Sequence, residues 1–148
     1  MLEKKDGYIT ITYKLRLYQR HQNWLIQTRR IYNQIVWHYY QILTAETTLL
    51  ENSNFLLLRM LEEKSIGTKE MKARGEEPLW KLTNFPKIPM YFRRAAINTA
   101  IGIARSSIAG KGILAETIDC SPVFYKGMYR KFQEDSIQLK LYNGKKWV

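Results

Sequence analysis

The 148 residues include one cysteine, two histidines and three aspartates, few of the residues that metal or nucleophile chemistry draws on most. A lone Cys120 excludes an internal disulfide framework. A zinc site needs clustered Cys and His ligands, and only Cys120, His21 and His38 exist. Cys120 reads as a small hydrophobe rather than a nucleophile, because neither histidine has a convincing claim as its base. His38, between aromatics in a helical stretch, reads as a packing histidine. A two-metal nuclease needs several converging carboxylates, and the aspartates are Asp6, Asp119 and Asp135 alone. The Glu62-Glu63 and Glu76-Glu77 pairs read as solvated charge. No P-loop or dinucleotide glycine pattern occurs. The expectation is a chain with no catalytic residues, no metal and no cofactor. No apolar run approaches the roughly 18 residues of a membrane span, and no secretory segment follows Met1. The expected setting is a reducing cytoplasm, away from membranes.

What is present is apolar bulk and positive charge. A 45% hydrophobic content is enough for a real core and argues against disorder. The net charge is +11, and it is unevenly spread. Residues 1–45 carry seven Lys/Arg against two acids, 46–77 carry five against seven, and 78–148 carry twelve against four. Two basic blocks thus flank a slightly acidic middle. In a chain this aromatic, that balance points to nucleic acid: Lys and Arg meet phosphates, and Tyr and Trp stack on bases. Basic charge serving solubility alone is the bland alternative.

"YITITYKLRLY" (8–18) alternates apolar and polar residues. This predicts a long strand with one buried face and one wet, basic face carrying Lys14 and Arg16. Residues 19–44 lack Gly and Pro, and Ile31, Ile35, Tyr39 and Ile42 recur at helical spacing, predicting one long amphipathic helix. Asn52–Glu63 reads as a shorter helix. Residues 64–89, punctuated by Gly67, Gly75, Pro78, Pro86 and Pro89, read as irregular. Pro89 opens a helix over 90–108 whose core face is Ile97, Ile101, Ala104 and Ile108, ended by Gly110 and Gly112. Strands follow at Met128–Phe132 and Ser136–Tyr142. Asn143-Gly144 then suits a two-residue type I′ turn, leaving a return strand of Lys145–Val148. The order strand, helices, strands predicts an α+β fold in which the first strand joins the last ones in one sheet or barrel.

Three surfaces are candidates for binding. On the 90–108 helix, Arg94, Asn98 and Arg105 share a face, with Arg93 beside them and Gly102 in the same stripe. Such a stripe suits a phosphate backbone or a groove, and equally an ordinary solvated face. Arg29, Asn33 and Trp37 form a similar stripe on the first helix. "FYKGMYRKF" (124–132) interleaves Tyr125, Tyr129 and Phe132 with Lys126, Arg130 and Lys131; Lys140 follows on the next strand. That is the composition of a base-stacking, phosphate-contacting surface. A strand edge with aromatics in the core has the same composition.

These stretches together resemble a known group. "ITYKLRLYQRHQNWLIQTRRIYNQIVWHYYQIL" (11–43) resembles the opening of TnpB/OrfB-type transposon proteins and compact type V CRISPR effectors. Those proteins carry a K-x-R-L-Y-like phrase on a strand, here Lys14–Tyr18, then R-x-x-Y-N on a long helix, here Arg29–Asn33. "IPMYFRRAAINTAIGIARSS" (88–107) resembles their later recognition-lobe helix, and residues 121–148 resemble the strands returning to the wedge barrel. The resemblance implies an OB-like wedge barrel split in sequence: residues 1–18 as first strand, 19–112 as inserted helical lobe, and 113–148 as returning strands. It implies guide RNA and target DNA as partners. It also implies a RuvC-like nuclease domain beyond the barrel, which this chain lacks. The barrel edge, with its short return strand and Trp147, is therefore expected to be completed by a separate nuclease subunit or a second copy. Two other readings stay open: a DNA-binding regulator reading a duplex through helix 90–108, and a protein-interaction or inhibitor module.

Overall fold

The computed structural model describes residues 2–5, 8–11, 21–82, 85, 87–110, 112, 114–134 and 136–148. The expected phosphate contacts of Lys14 and Arg16 lie outside the described residues. The fold is α+β. Strands β1 (Leu2–Lys5) and β2 (Tyr8–Ile11) pair antiparallel, with Leu2 opposite Ile11 and Lys5 opposite Tyr8. Helix α1 spans Gln22–Ala45, α2 Asn54–Ile66, α3 Lys69–Ala73 and α4 Met90–Ala109. Strands β3 (Tyr129–Gln133) and β4 (Ser136–Leu139) form a second antiparallel pair.

The helices follow the sequence pattern closely. α1 runs without Gly or Pro, and Ile31, Tyr32, Ile35, Val36, Tyr39, Tyr40 and Leu43 make its buried stripe. Ile42, expected in that stripe, is only half-buried; Leu43 takes the core position. In α4 the buried face is Phe92, Ala95, Ala96, Ile97, Ala100, Ile101 and Ala104. Its run of alanines lets the large α1 side chains approach, so the two helices make the principal contact of the core. Ile108, expected in that core, is 38% exposed, while its neighbour Ser107 still meets Tyr40 of α1. Ser53 caps α2 by accepting from Leu56 N at 3.4 Å, and Leu57 and Leu61 carry α2 onto the core.

Three buried tyrosines on α1 tie the layers together. The Tyr32 hydroxyl donates to Ala95 O on α4 (3.2 Å) and meets Thr99 Oγ1. Tyr39 bonds Ser65 Oγ on α2 at 2.7 Å, and Ser65 in turn donates to Leu61 O. Tyr40 donates to Ser107 Oγ at 3.3 Å and accepts from Ala115 N at 2.8 Å. The stretch expected to be irregular contains α3 and is pinned by Trp80. Its N–H donates to Lys64 O at 2.9 Å, its ring lies 5.0 Å under Lys64 Nζ, and His38 Nε2 sits 3.0 Å from its carbonyl oxygen. His38 also packs edge-on against Tyr39.

The strands depart from expectation. β2 pairs with β1, its neighbour in sequence, rather than with the C-terminal strands. A local hairpin closes a short loop and costs less chain entropy than pairing with a strand at the other end of the chain. Among the described residues the two sheets are separate two-stranded pairs and no closed barrel forms. β3–β4 carries a register shift between Lys131 and Gln133.

The final turn also differs. Tyr142 pairs with Trp147, and Leu141 and Val148 exchange both backbone bonds at 2.8 and 2.9 Å. The loop is therefore 143–146 rather than Asn143-Gly144 alone. The Asn143 side chain decides this: its Oδ1 accepts from Lys145 N (2.9 Å) and Lys146 N (3.0 Å), closing a wider turn, and Gly144 supplies φ +96°. The segment docks on α1, where Thr28 Oγ1 accepts from Tyr142 N at 2.9 Å. Trp147, expected to need another chain for burial, packs within its own: 4.7 Å from the Phe92 ring and 5.6 Å from Tyr142. Phe92 lies edge-on to Tyr32 at 5.3 Å, so the aromatic contacts run continuously from α1 through α4 to the C-terminal turn.

Two predictions follow from this packing. Trp147→Ala should destabilise the isolated chain by about 2–4 kcal/mol in urea denaturation, somewhat below a fully buried tryptophan; an unchanged midpoint would show that the Phe92 contact contributes nothing. Burial, partly offset by the Ser65 bond, pushes the Tyr39 hydroxyl up to about 12. Stability linked to its proton is complete below about pH 10, where an unfolded tyrosine ionises, and is lost as pH rises through 12. Melting temperatures between these limits should fall less steeply in Tyr39→Phe; parallel slopes would place the alkaline loss elsewhere.

Candidate nucleic-acid interface

The C-terminal hairpin builds the most open basic surface. Gly127, at φ +104°, turns the chain after Lys126, and Met128 N returns to Tyr125 O at 2.9 Å. Met128 plugs the core, which fixes the hairpin against the helices. Period-2 alternation then puts Tyr129 and Lys131 on one face, opposite Leu139 and Ile137. Tyr129 is 44% exposed and Ile137 52%. Arg130 is exposed and donates to Gln138 Oε1 across the pair at 2.6 Å. Lys126, Lys131, Lys140, Lys145 and Lys146 are likewise exposed. Among the described residues, none of these six cations is in an ion pair. Tyr125 differs from Tyr129: its hydroxyl accepts from Asn98 Nδ2 at 3.0 Å and its ring packs on the core.

The α4 stripe is engaged inside the molecule. Arg93 and Arg94 both bond Glu62 of α2, Arg93 Nη2 at 3.2 Å from Oε2 and Arg94 Nε on Oε1. The Glu62 side chain is only 16% exposed, so it is not the solvated charge that its pairing with Glu63 suggested. Its bond to Arg94 holds that guanidinium above its ordinary range. Asn98 serves Tyr125. Arg105 spans the turn before α2, donating to Asn54 Oδ1 (3.0 Å), Leu50 O (2.7 Å) and Asn52 O (2.8 Å). Gly102 is exposed, with open space where a Cβ would lie. Helix spacing identified the shared face of these residues. It carried no information about Glu62, whose role depends on α2 lying beside the start of α4.

The α1 stripe lines a groove of about 490 Å³ between α1 and residues 116–119. Arg29 pairs with Asp119 at 2.9 Å, both well exposed. Asn33 clamps the Cys120 backbone: Nδ2 donates to Cys120 O (2.9 Å) and to Arg29 O, and Oδ1 accepts from Cys120 N (2.6 Å). Both amide hydrogens of Asn33 are thereby used. Trp37 is half-buried, its ring 5.7 Å from Tyr40. Burial, reinforced by Asp119 and opposed by Arg29, pushes the Cys120 thiol up, away from nucleophile chemistry. Among the described residues no three His, Cys, Asp or Glu side chains gather as metal ligands, and no helix is long and apolar enough to cross a membrane.

The sequence pattern of the Aq_aa04 family matches residues 9–143, and the chain belongs to that family. No curated protein and no solved structure matches it.

The contrast between the two kinds of arginine contact is measurable. Glu62→Gln leaves two guanidinium groups, one of them 12% exposed, without their counter-charge. It should cost about 2–4 kcal/mol. Asp119→Asn, in an exposed pair, should cost about 0.5 kcal/mol or less. Equal costs in urea denaturation would show that Glu62 is no more than a surface partner.

Proposed function

We propose that this chain binds nucleic acid as the non-catalytic, guide-RNA- and target-DNA-holding part of an RNA-guided DNA nuclease system. The observation that carries the binding reading is the C-terminal hairpin surface. Six exposed cations lie between Lys126 and Lys146, in the same segment as Tyr129, which is 44% exposed. Such a surface attracts phosphates through its charge and bases through its ring. The guide-RNA part of the reading rests on the resemblance of residues 11–43, 88–107 and 121–148 to TnpB-type proteins. In this reading the terminal hairpins belong to an OB-like wedge barrel completed by a RuvC-like nuclease chain or a second copy, and the helices are its recognition lobe. In this reading catalysis belongs to that other chain. A regulator reading duplex DNA through α4 has less support: Arg93, Arg94, Asn98 and Arg105 are already bonded to other parts of the chain.

Affinity for structured RNA should exceed affinity for random duplex DNA and fall steeply with salt. With about six phosphates neutralised, the log–log slope should lie near −4 to −5. Arg130→Ala with Lys131→Ala should reduce its magnitude by about 1 to 2. With Mg²⁺ or Mn²⁺ the chain alone should cleave neither single- nor double-stranded DNA above a mock preparation. A slope near zero would overturn the binding reading, and cleavage that survives repurification would overturn the non-catalytic one.

A further inference from the structure

Tyr91 lies outside every stripe that helix spacing and composition single out, yet its surroundings are unusual. It is the second residue of α4, where an aromatic side chain would ordinarily turn into the core as Phe92 does; instead it is 41% exposed. Its ring rests on the Lys126-Gly127 turn of the C-terminal hairpin. A Cβ at residue 127 would lie 2.6 Å from Tyr91 Cδ2 and 2.8 Å from Cε2. Residue 127 is therefore bound to glycine twice, by φ +104° and by the ring. This contact holds the ring against the turn on its Cδ2–Cε2 side, while the residue as a whole stays 41% exposed.

Charge and a second ring flank this position. Lys126 is exposed at the turn itself, and Tyr129, 44% exposed, follows two residues after Gly127. Between them Met128 is buried and fixes the turn on the core. Two exposed tyrosines thus bracket a rigid, cationic turn.

We propose that Tyr91, held by Gly127, is a stacking platform for an unpaired nucleotide of single-stranded RNA, with Lys126 placed for its phosphate. The assignment rests on the nucleic-acid reading above and names the form of substrate at that surface. A duplex buries its base faces in its own stack, so exposed rings favour unpaired strands. The binding is sequence-tolerant, because every base has a π-face.

The test is titration of a labelled oligouridylate of about 12 nucleotides, a duplex of equal length and base-free polyphosphate against wild type and variants. Tyr91→Ala should weaken binding of the oligouridylate at least about fivefold and leave polyphosphate binding unchanged, while Tyr91→Phe stays near wild type. Should Tyr91→Ala lower the melting temperature, Tyr91→Leu carries the comparison, since it keeps an apolar side chain on the turn without a π-face. Gly127→Ala, which displaces the ring, should reproduce the selective loss. Equal weakening on oligouridylate and polyphosphate, no weakening on either, or preference of the wild type for the duplex overturns the stacking assignment while leaving the nucleic-acid reading intact. A wild type that binds no RNA at all removes both.

Discussion

Burying a tyrosine is favourable only if its hydroxyl finds a partner, and α1 buries three of them. Tyr32, Tyr39 and Tyr40 lie on one face, and each hydroxyl reaches a different region: α4, α2, and the segment beginning at Ala115. An unpaired buried hydroxyl would be a substantial penalty, so these bonds set where the surrounding elements can sit. The alanines of α4 complete the arrangement by leaving room for the rings. The rest of the helical packing follows from this one helix.

Polar side chains on the next layer do related work on the backbone. Asn33 holds the Cys120 peptide from both sides, and Arg105 gathers two carbonyls and an amide oxygen at the turn before α2. Thr28 receives the Tyr142 N–H and so fixes the C-terminal turn to α1. Each satisfies backbone groups in segments without regular structure, where no ladder or helix would do so. Residues that composition assigns to nucleic acid thus include several that brace loops, and a long polar side chain at an inner helix face serves either end without changing its spacing.

The basic surface free of internal ion pairs is consequently narrower than the +11 charge implies. Glu62 takes up Arg93 and Arg94, and Asp119 takes up Arg29. Among the described residues the exposed cations from Lys126 to Lys146 are in no ion pair. Met128 on the inner side supplies the rigidity that a hairpin alone would lack.

Local information was sufficient for the two long helices, though not for the short α3. Absence of Gly and Pro and a 3.6-residue apolar period placed α1 and α4 to within a few residues, since both signals act over one or two turns. The two C-terminal strands and their basic, aromatic composition were legible for the same reason, since alternation is a short-range feature. Strand partners were not legible. Period-2 alternation says that β2 is a strand but not whether β1 or a distant strand lies beside it. The width of the last turn was decided by the Asn143 side chain competing with the two-residue turn that Asn-Gly favours. Glu62 and Tyr91 show the remaining gap. By itself the sequence determined which segments coil, which faces are apolar and where positive charge accumulates, because these depend on neighbours along the chain. Only the tertiary structure decided which arginines are bonded internally and which aromatic ring is held open, because those depend on what is brought beside them from other parts of the chain.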